Sequence, residues 1–191
     1  MLQWMVRFVA LAILALAALP AQARVTITFW SYENGGDFPH AFFTVHGTPE
    51  RGGSPARYTY GFTSKTVTPM MLIGNTPGKV SNTPKSYLER GTPHFAMQIS
   101  DVQYDAVMSL AREWGDKGNN TYSLNRRNCV HFVAEAMRRS GLQVVEAKNL
   151  MKKPRSFTES IQQMNNGRIR AIGQAGTAYV AATPALANVG R

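Results

Sequence analysis

The fold is decided by Asn128-Cys129-Val130-His131-Phe132, where a polar, Asn-rich loop gives way to a strong helix pattern. Asn128 suits the N-cap position, because its side-chain oxygen can accept a free amide of the first turn. The apolar residues that follow share one face at helical spacing: Phe132, Val133, Ala136 and Met137. We predict a helix that runs to about Gly141, since glycine is common just past a helix end.

Cys129 is the only cysteine in the chain, and this pattern places it in the first turn of that helix. Free amides and the positive end of the helix dipole stabilise a thiolate there. We therefore predict that Cys129 is thiolate-rich at neutral pH, with His40 as part of the cause. The alternative is a small packed hydrophobe, for which burial shifts the thiol pKa the other way.

Residues 1–23 have the features of a cleaved secretory signal peptide. Arg7 precedes a twelve-residue apolar run, and Pro20-Ala21-Gln22-Ala23 ends that run with an Ala-x-Ala pattern. We expect a bacterial periplasmic or secreted protein without a transmembrane span after cleavage. A single cysteine cannot form an internal disulfide, and a free thiol in an oxidising compartment is a liability unless it is buried or used.

The 191 residues are enough for one domain, and their formal net charge is +10. This charge predicts attraction to an anionic cell-wall peptide, a glycopolymer or a lipid surface. Nucleic acid is not expected, because the chain has neither a Lys/Arg-rich block nor a nucleic-acid-binding motif. We expect a monomer without a cofactor.

Alternation and turn residues predict an α+β fold in which a small antiparallel sheet packs on helices. The helices are expected near 101–114, capped by Ser100, and near 129–140. A third helix is predicted from a capping box of Ser156 and Glu159. Strands are predicted at 25–30, 40–46, 57–63 and 92–99, with Glu33 to Asp37 as a turn.

Three segments give weaker patterns. Residues 64–92 are rich in Thr, Pro, Gly and Asn, which predicts an ordered excursion with little regular structure that covers a cleft. Residues 142–145 fit either a short strand or an extended linker. The chain from Ala171 onward has almost no charge, and we expect a flexible tail.

A thiolate nucleophile needs a base or an imidazolium partner, and four histidines are available. His131 is two residues beyond Cys129, so it points about 200° away on the helix and cannot be the partner. His40 begins a hydrophobic strand after a Gly-rich turn, and strand ends of this kind often carry sites. His94 is a reserve candidate, and His46 closes the strand that His40 opens.

Pro39-His40-Ala41-Phe42-Phe43, followed by Tyr122-x-Leu124-x-x-x-Asn128-Cys129-Val130-His131-Phe132-Val133, resembles the circularly permuted branch of the NlpC-type papain-like superfamily. That branch includes the lecithin:retinol acyltransferase-like proteins. Their Asn-Cys-Glu-His-Phe-Val signature differs from this chain only at Val130. In this branch the histidine precedes the cysteine. The resemblance covers roughly residues 25–142.

The resemblance implies that Cys129 is the catalytic nucleophile and His40 its base. The Cys129 amide would form part of the oxyanion hole, which Tyr122 could line. Relatives add a His, Asn or Gln near the end of the next strand. A simple hairpin would set His40 opposite Thr63, and neither Thr63 nor Ser64 matches those residues.

We therefore expect an exported cysteine-dependent hydrolase or acyltransferase that forms an acyl-enzyme on an amide or ester, most readily in a cell-wall peptide. Lipid acyl transfer or deacylation by the same dyad is the first alternative. A binding module that lost the chemistry is the second. A metal site is the third, although no ligand pair has recognisable spacing. The hydrolase domain is predicted at 24–147, followed by a basic extension at 148–191 with a short helix.

Overall fold

The computed structural model of the protein describes residues 24–33, 38–187 and 189. The predicted signal peptide lies outside these residues, as does most of the predicted turn from Glu33 to Asp37. In the part of the chain that is described, no helix is both long enough and apolar enough to cross a membrane.

The described residues form one seven-stranded sheet in which every neighbouring pair is antiparallel. The order across the sheet is β6-β4-β3-β2-β1-β5-β7. The strands are β1 (Val25–Tyr32), β2 (His40–Gly47), β3 (Ala56–Ser64), β4 (Thr76–Ser81), β5 (Thr92–Ile99), β6 (Thr121–Tyr122) and β7 (Arg170–Ala171).

Six α-helices accompany the sheet in the described ranges. They are α1 (Met70–Ile73), α2 (Lys85–Arg90), α3 (Asp101–Glu113), α4 (Cys129–Arg139), α5 (Pro154–Met164) and α6 (Gly176–Ala182). Short 3-10 turns follow at Asn166–Arg168 and Pro184–Leu186.

Two apolar clusters cover the two faces of the sheet. The larger cluster joins alternate residues of β1 and β2, such as Phe29 and Phe43, to the buried sides of α3, α4 and α5. The smaller cluster contains the intervening strand residues, such as Trp30 and Phe42, with residues from α2 and the C-terminal segment. Because β1 and β2 are covered on both faces, their side chains are almost all buried.

The predicted antiparallel sheet packed on helices is confirmed. Strands form where alternation predicted them. His46 pairs with Arg57, which is the register of the simple hairpin that would set His40 opposite Thr63. Ser100 caps α3 in a capping box with Gln103. Gly141 follows α4 with a φ of +86°, a left-handed conformation that glycine adopts without strain.

Residues 64–92 differ from the prediction, because they contain α1, β4 and α2. These elements have only four to six residues each. Such short segments carry little periodicity, and β4 forms by pairing with β3 and β6 on either side. The prediction of little regular structure in this segment is therefore wrong.

The C-terminal third differs from the prediction in two places, the start of α5 and the segment beyond Ala171. Helix α5 begins at Pro154 after Lys153, so Ser156 lies inside the first turn and is not its cap. Residues 142–145 form the linker that was one of the two predicted alternatives. The Asn165 side chain accepts a hydrogen bond from the Gln143 N–H and donates one to the Gln143 carbonyl. The segment beyond Ala171 forms α6 and a 3-10 turn, in contrast to the expected flexible tail. Its buried residues in the described part of the chain are Gly176, Tyr179, Val180, Leu186 and Val189.

Candidate active site

Cys129 is the first residue of α4, directly after the buried N-cap Asn128. The Asn128 Oδ1 accepts hydrogen bonds from the amides of Val130 at 2.8 Å and His131 at 3.2 Å. Its Nδ2 donates to the carbonyl oxygens of Leu124 and Met151, both at 2.8 Å. One side chain therefore fixes the helix start, the preceding loop and the linker before α5, and so holds Cys129 in place.

The Cys129 side chain is 7% exposed. Burial raises the pKa of its thiol to about 11, although hydrogen bonds from the backbone amides of Ala41, Val130 and Cys129 act in the opposite direction. The expectation of a thiolate at neutral pH is therefore wrong for the free protein. Removal of the sulfur from water outweighs the donors at the helix N-terminus.

His40 is the first residue of β2, next to Ala41, whose amide faces the Cys129 sulfur. Its ring is stacked on Phe42 with centroids 6.1 Å apart and meets the edge of Tyr87 at 6.2 Å. Backbone amides, rather than the His40 ring, hydrogen-bond the sulfur in this state. Burial lowers the pKa of His40 to about 4, so the imidazole is neutral at pH 7.

Cys129 and His40 line the same cavity, which has a volume of about 420 Å³. It lies where β2 begins and where β3 and β4 end. Among the described residues that line it, Lys79 is the one with a charged side chain. The other lining residues, all in the described ranges, are Phe38, Pro39, Thr63, Val67, Met71, Ser81, Asn82, Thr83, Pro84, Tyr87 and Tyr122.

Tyr122 lines this cavity beside Cys129. Burial, together with the neighbouring Cys129, raises the pKa of its phenol, so Tyr122 remains a neutral hydrogen-bond donor. Thr63 also faces the cavity. The Ser64 hydroxyl is buried and bonded to Thr66 O at 2.7 Å and to Thr76 Oγ1 at 2.8 Å, so it is not directed at His40.

The other three histidines lie away from the cavity wall. His131 turns back to its own helix cap, with Nδ1 2.9 Å from Asn128 Oδ1. His46 is at the far end of β2, opposite Thr26. His94 is buried on β5, with Nε2 2.8 Å from Ser31 Oγ. The described residues hold no group of three or more His, Cys, Asp or Glu side chains arranged to bind a metal ion.

Several cavity residues were not singled out from the sequence, and most lie in the segment from 64 to 92. They are Val67, Met71, Lys79, Ser81, Asn82, Thr83 and Tyr87. One signal was present in that segment. Three Thr-Pro pairs each stand at the start of a helix or strand: Thr68-Pro69 before α1, Thr76-Pro77 in β4 and Thr83-Pro84 before α2. Proline restricts the residue before it to extended backbone, and it also fits a helix start.

The chain has no match among models of protein families, among curated proteins or among solved structures. The arrangement of the cavity is therefore the basis for a functional assignment.

Proposed function

We propose that the protein is an exported cysteine-dependent hydrolase or acyltransferase with a permuted papain-like core. Cys129 is the nucleophile and His40 the general base. The observation that carries the proposal is that the only thiol, at a helix N-terminus, shares a cavity with a neutral imidazole at the start of a buried strand. Nucleophile and base on separate rigid elements are typical of covalent acyl transfer.

The pKa values define the resting state of this pair. A thiol with a pKa near 11 and an imidazole with a pKa near 4 are both neutral at pH 7. An ion pair is unfavourable in the free site, so the proton leaves the sulfur only as the sulfur attacks. His40 then acts as a general base during bond formation.

In the first step the Cys129 sulfur attacks the carbonyl carbon of an amide or ester, and its proton passes to His40. The carbonyl oxygen becomes an oxyanion, for which the amides beside the sulfur and the Tyr122 hydroxyl are the available donors. When the C–N or C–O bond breaks, the leaving group takes the proton from His40. Water, or an acceptor hydroxyl or amine, then releases the acyl group from the thioester.

The charge of the cavity favours an anionic substrate. Lys79 is exposed on β4 and is the one charged side chain among the described lining residues. A cell-wall peptide carries free carboxylates that Lys79 can attract, and the strongly basic chain would concentrate such a polymer around it. Cell-wall peptide cleavage is therefore the reaction we propose first.

A lipid substrate is favoured by a separate observation at the rim of the cavity. Phe38 and Val67 line it and are 51% and 71% exposed. Met71 also lines it, and its helix α1 exposes Met70, Leu72 and Ile73. Exposed apolar residues grouped in this way are typical of a membrane or acyl-chain contact. Lipid acyl transfer or deacylation is thus the second candidate.

Assays of the purified chain on muropeptides and on anionic phospholipid vesicles would separate the two candidates. We expect turnover of one substrate class by the wild type and a loss of at least about 10³-fold in Cys129→Ala. Circular dichroism and thermal unfolding would establish that the variant stays folded. Binding without turnover by the wild type, unchanged in Cys129→Ala, would instead identify a binding module.

A further inference from the structure

Thr83 is a buried residue of the cavity wall whose hydroxyl has no hydrogen-bond partner in the described part of the chain. Its side chain is 3% exposed, and Oγ1 makes no hydrogen bond within the described residues. Thr83 lies between β4 and α2, and Pro84 follows it directly. Proline restricts the backbone of Thr83, and the branched Cβ restricts its side chain. The position of this hydroxyl is therefore well defined.

The His40 ring extends toward this hydroxyl across Gly61. A Cβ on Gly61 would lie 2.3 Å from His40 Nε2 and 3.2 Å from Thr83 Oγ1. Both polar atoms thus approach the same point on β3, in the space that the missing side chain of Gly61 leaves open. The pairing of β2 with β3 ends at Phe42 and Gly61, so Thr63, the residue expected opposite His40 in a simple hairpin, is not paired with it.

The approach of His40 Nε2 to the Thr83 hydroxyl indicates which ring nitrogen carries the proton. A neutral imidazole has one N–H and one lone pair. Nδ1 is the ring nitrogen closer to the backbone of His40. The amide of the next residue, Ala41, donates a hydrogen bond to the Cys129 sulfur. If Nε2–H donates to Thr83 Oγ1, the lone pair is on Nδ1 and can accept the thiol proton.

We propose that Thr83 is the positioning residue of this site. Its hydroxyl has no hydrogen-bond partner among the described residues, and it accepts a hydrogen bond from His40 Nε2 when the ring turns to align with it in the space that Gly61 leaves open. The assignment rests on the proposed function of His40 as base. It differs from the hairpin expectation, because the hydroxyl comes from the loop between β4 and α2 instead of from Thr63 at the end of β3.

The test compares Thr83→Val, which removes the hydroxyl at nearly constant volume, with Thr83→Ser, which keeps it. Thr59→Val is the matched control, because it removes another buried β3 hydroxyl that has no hydrogen-bond partner among the described residues and does not line the cavity. Nitrogen-15 NMR of the histidine rings in the full chain reads the His40 tautomer without substrate. A substrate assay then measures kcat/KM for the same variants.

We expect the wild type and Thr83→Ser to have the Nε2–H tautomer and Thr83→Val to have a mixture. Loss of one hydrogen bond to the base should lower kcat/KM by about 10- to 100-fold in Thr83→Val. Thr83→Ser and Thr59→Val should stay within about threefold. An unchanged tautomer in Thr83→Val would overturn the assignment, even if Cys129 proved to be the nucleophile.

Gly61→Ala provides a second, independent variant. The added methyl group would overlap His40 Nε2, so the His40 ring must move. The backbone is not strained by the substitution, because Gly61 does not have a positive φ. We expect a folded protein with altered His40 ring resonances and lower kcat/KM. Unchanged His40 resonances in folded Gly61→Ala would contradict the placement of the ring. If no variant or wild type turns over any substrate, the NMR result still decides the role of Thr83.

Discussion

His40 and His94 have similar electrostatics but different surroundings. They lie near the starts of β2 and β5, the two strands that flank β1, and burial lowers the pKa of each to about 4. His94 is 4% exposed and its Nε2 is satisfied by Ser31. His40 faces a cavity that also contains the only thiol. A lowered pKa therefore reports burial, whereas an open cavity and a nearby nucleophile distinguish the candidate base.

The largest expected effect separates the two histidines by activity. We expect His40→Gln to lower kcat/KM by about 10²- to 10⁴-fold, the usual contribution of a general base. The matched control His94→Gln should keep kcat/KM within about tenfold wherever it is folded. Equal losses in the two folded variants would contradict the distinction between them.

The second prediction concerns the stability of the protein and tests the buried neutral state of His94. In the folded protein His94 is buried, and its pKa is lowered to about 4. In the unfolded chain the same side chain is protonated below about pH 6.5, so acid favours the unfolded state. Its stabilising contribution is complete above pH 6.5 and is lost as the pH falls toward 4, by about 3 kcal/mol in all. Urea unfolding from pH 7 to pH 4 would measure this loss.

His94→Gln should be less stable than the wild type at pH 7, because it removes the buried bond to Ser31. It should also lose less stability on acidification, since glutamine does not titrate. An identical pH dependence in the wild type and His94→Gln would contradict the buried neutral state of His94.

The third prediction concerns the thiol that His40 faces. With a pKa near 11, Cys129 should react with iodoacetamide at pH 7 roughly a hundredfold more slowly than a free cysteine of pKa about 8.5. The alkylation rate should rise with pH up to about 11 and be similar in His40→Gln and His94→Gln. Rapid alkylation at neutral pH that depends on His40 alone would mean that the resting pair is an ion pair.

Local sequence signals predicted the part of the site around Cys129. Asn128 as N-cap, the apolar face of α4 and His40 at the start of β2 are features of single elements, and the structure contains each of them. The pKa of Cys129 was not predicted correctly, because the helix N-terminus can be read from the sequence but the burial of the sulfur depends on packing.

The parts of the site that the sequence did not predict depend on distant contacts. Lys79 lies in the short strand β4 and Thr83 in the loop that follows it, and the position of β4 is set by pairing with β3 and β6. The bond between Ser31 and His94 forms where the pairing of β1 with β5 shifts register, at Phe29 and Trp30. A pattern within one strand does not reveal such a shift, so His94 remained a reserve candidate until the structure showed its partner.

The order of the C-terminal segment depends on the second face of the sheet in the same way. Tyr179 reaches Thr28 of β1 with a hydroxyl distance of 3.1 Å and contacts the Trp30 ring edge-on. A seven-residue helix rich in Ala and Gly has a weak pattern of its own. The position of this helix depends on its packing against Trp30 and Phe42, which are apolar residues on that face of the sheet.

The most direct test of the central claim is to trap the acyl-enzyme. The full chain would be mixed with an activated ester of an acyl group from the substrate class that turns over, quenched in acid and examined by intact-mass and peptide mass spectrometry. We predict a single acyl adduct on Cys129, formed much more slowly in His40→Gln than in His94→Gln and absent from Cys129→Ala. Continued turnover by Cys129→Ala, or an adduct on another residue that forms equally in all variants, would contradict the assignment of Cys129 as the nucleophile.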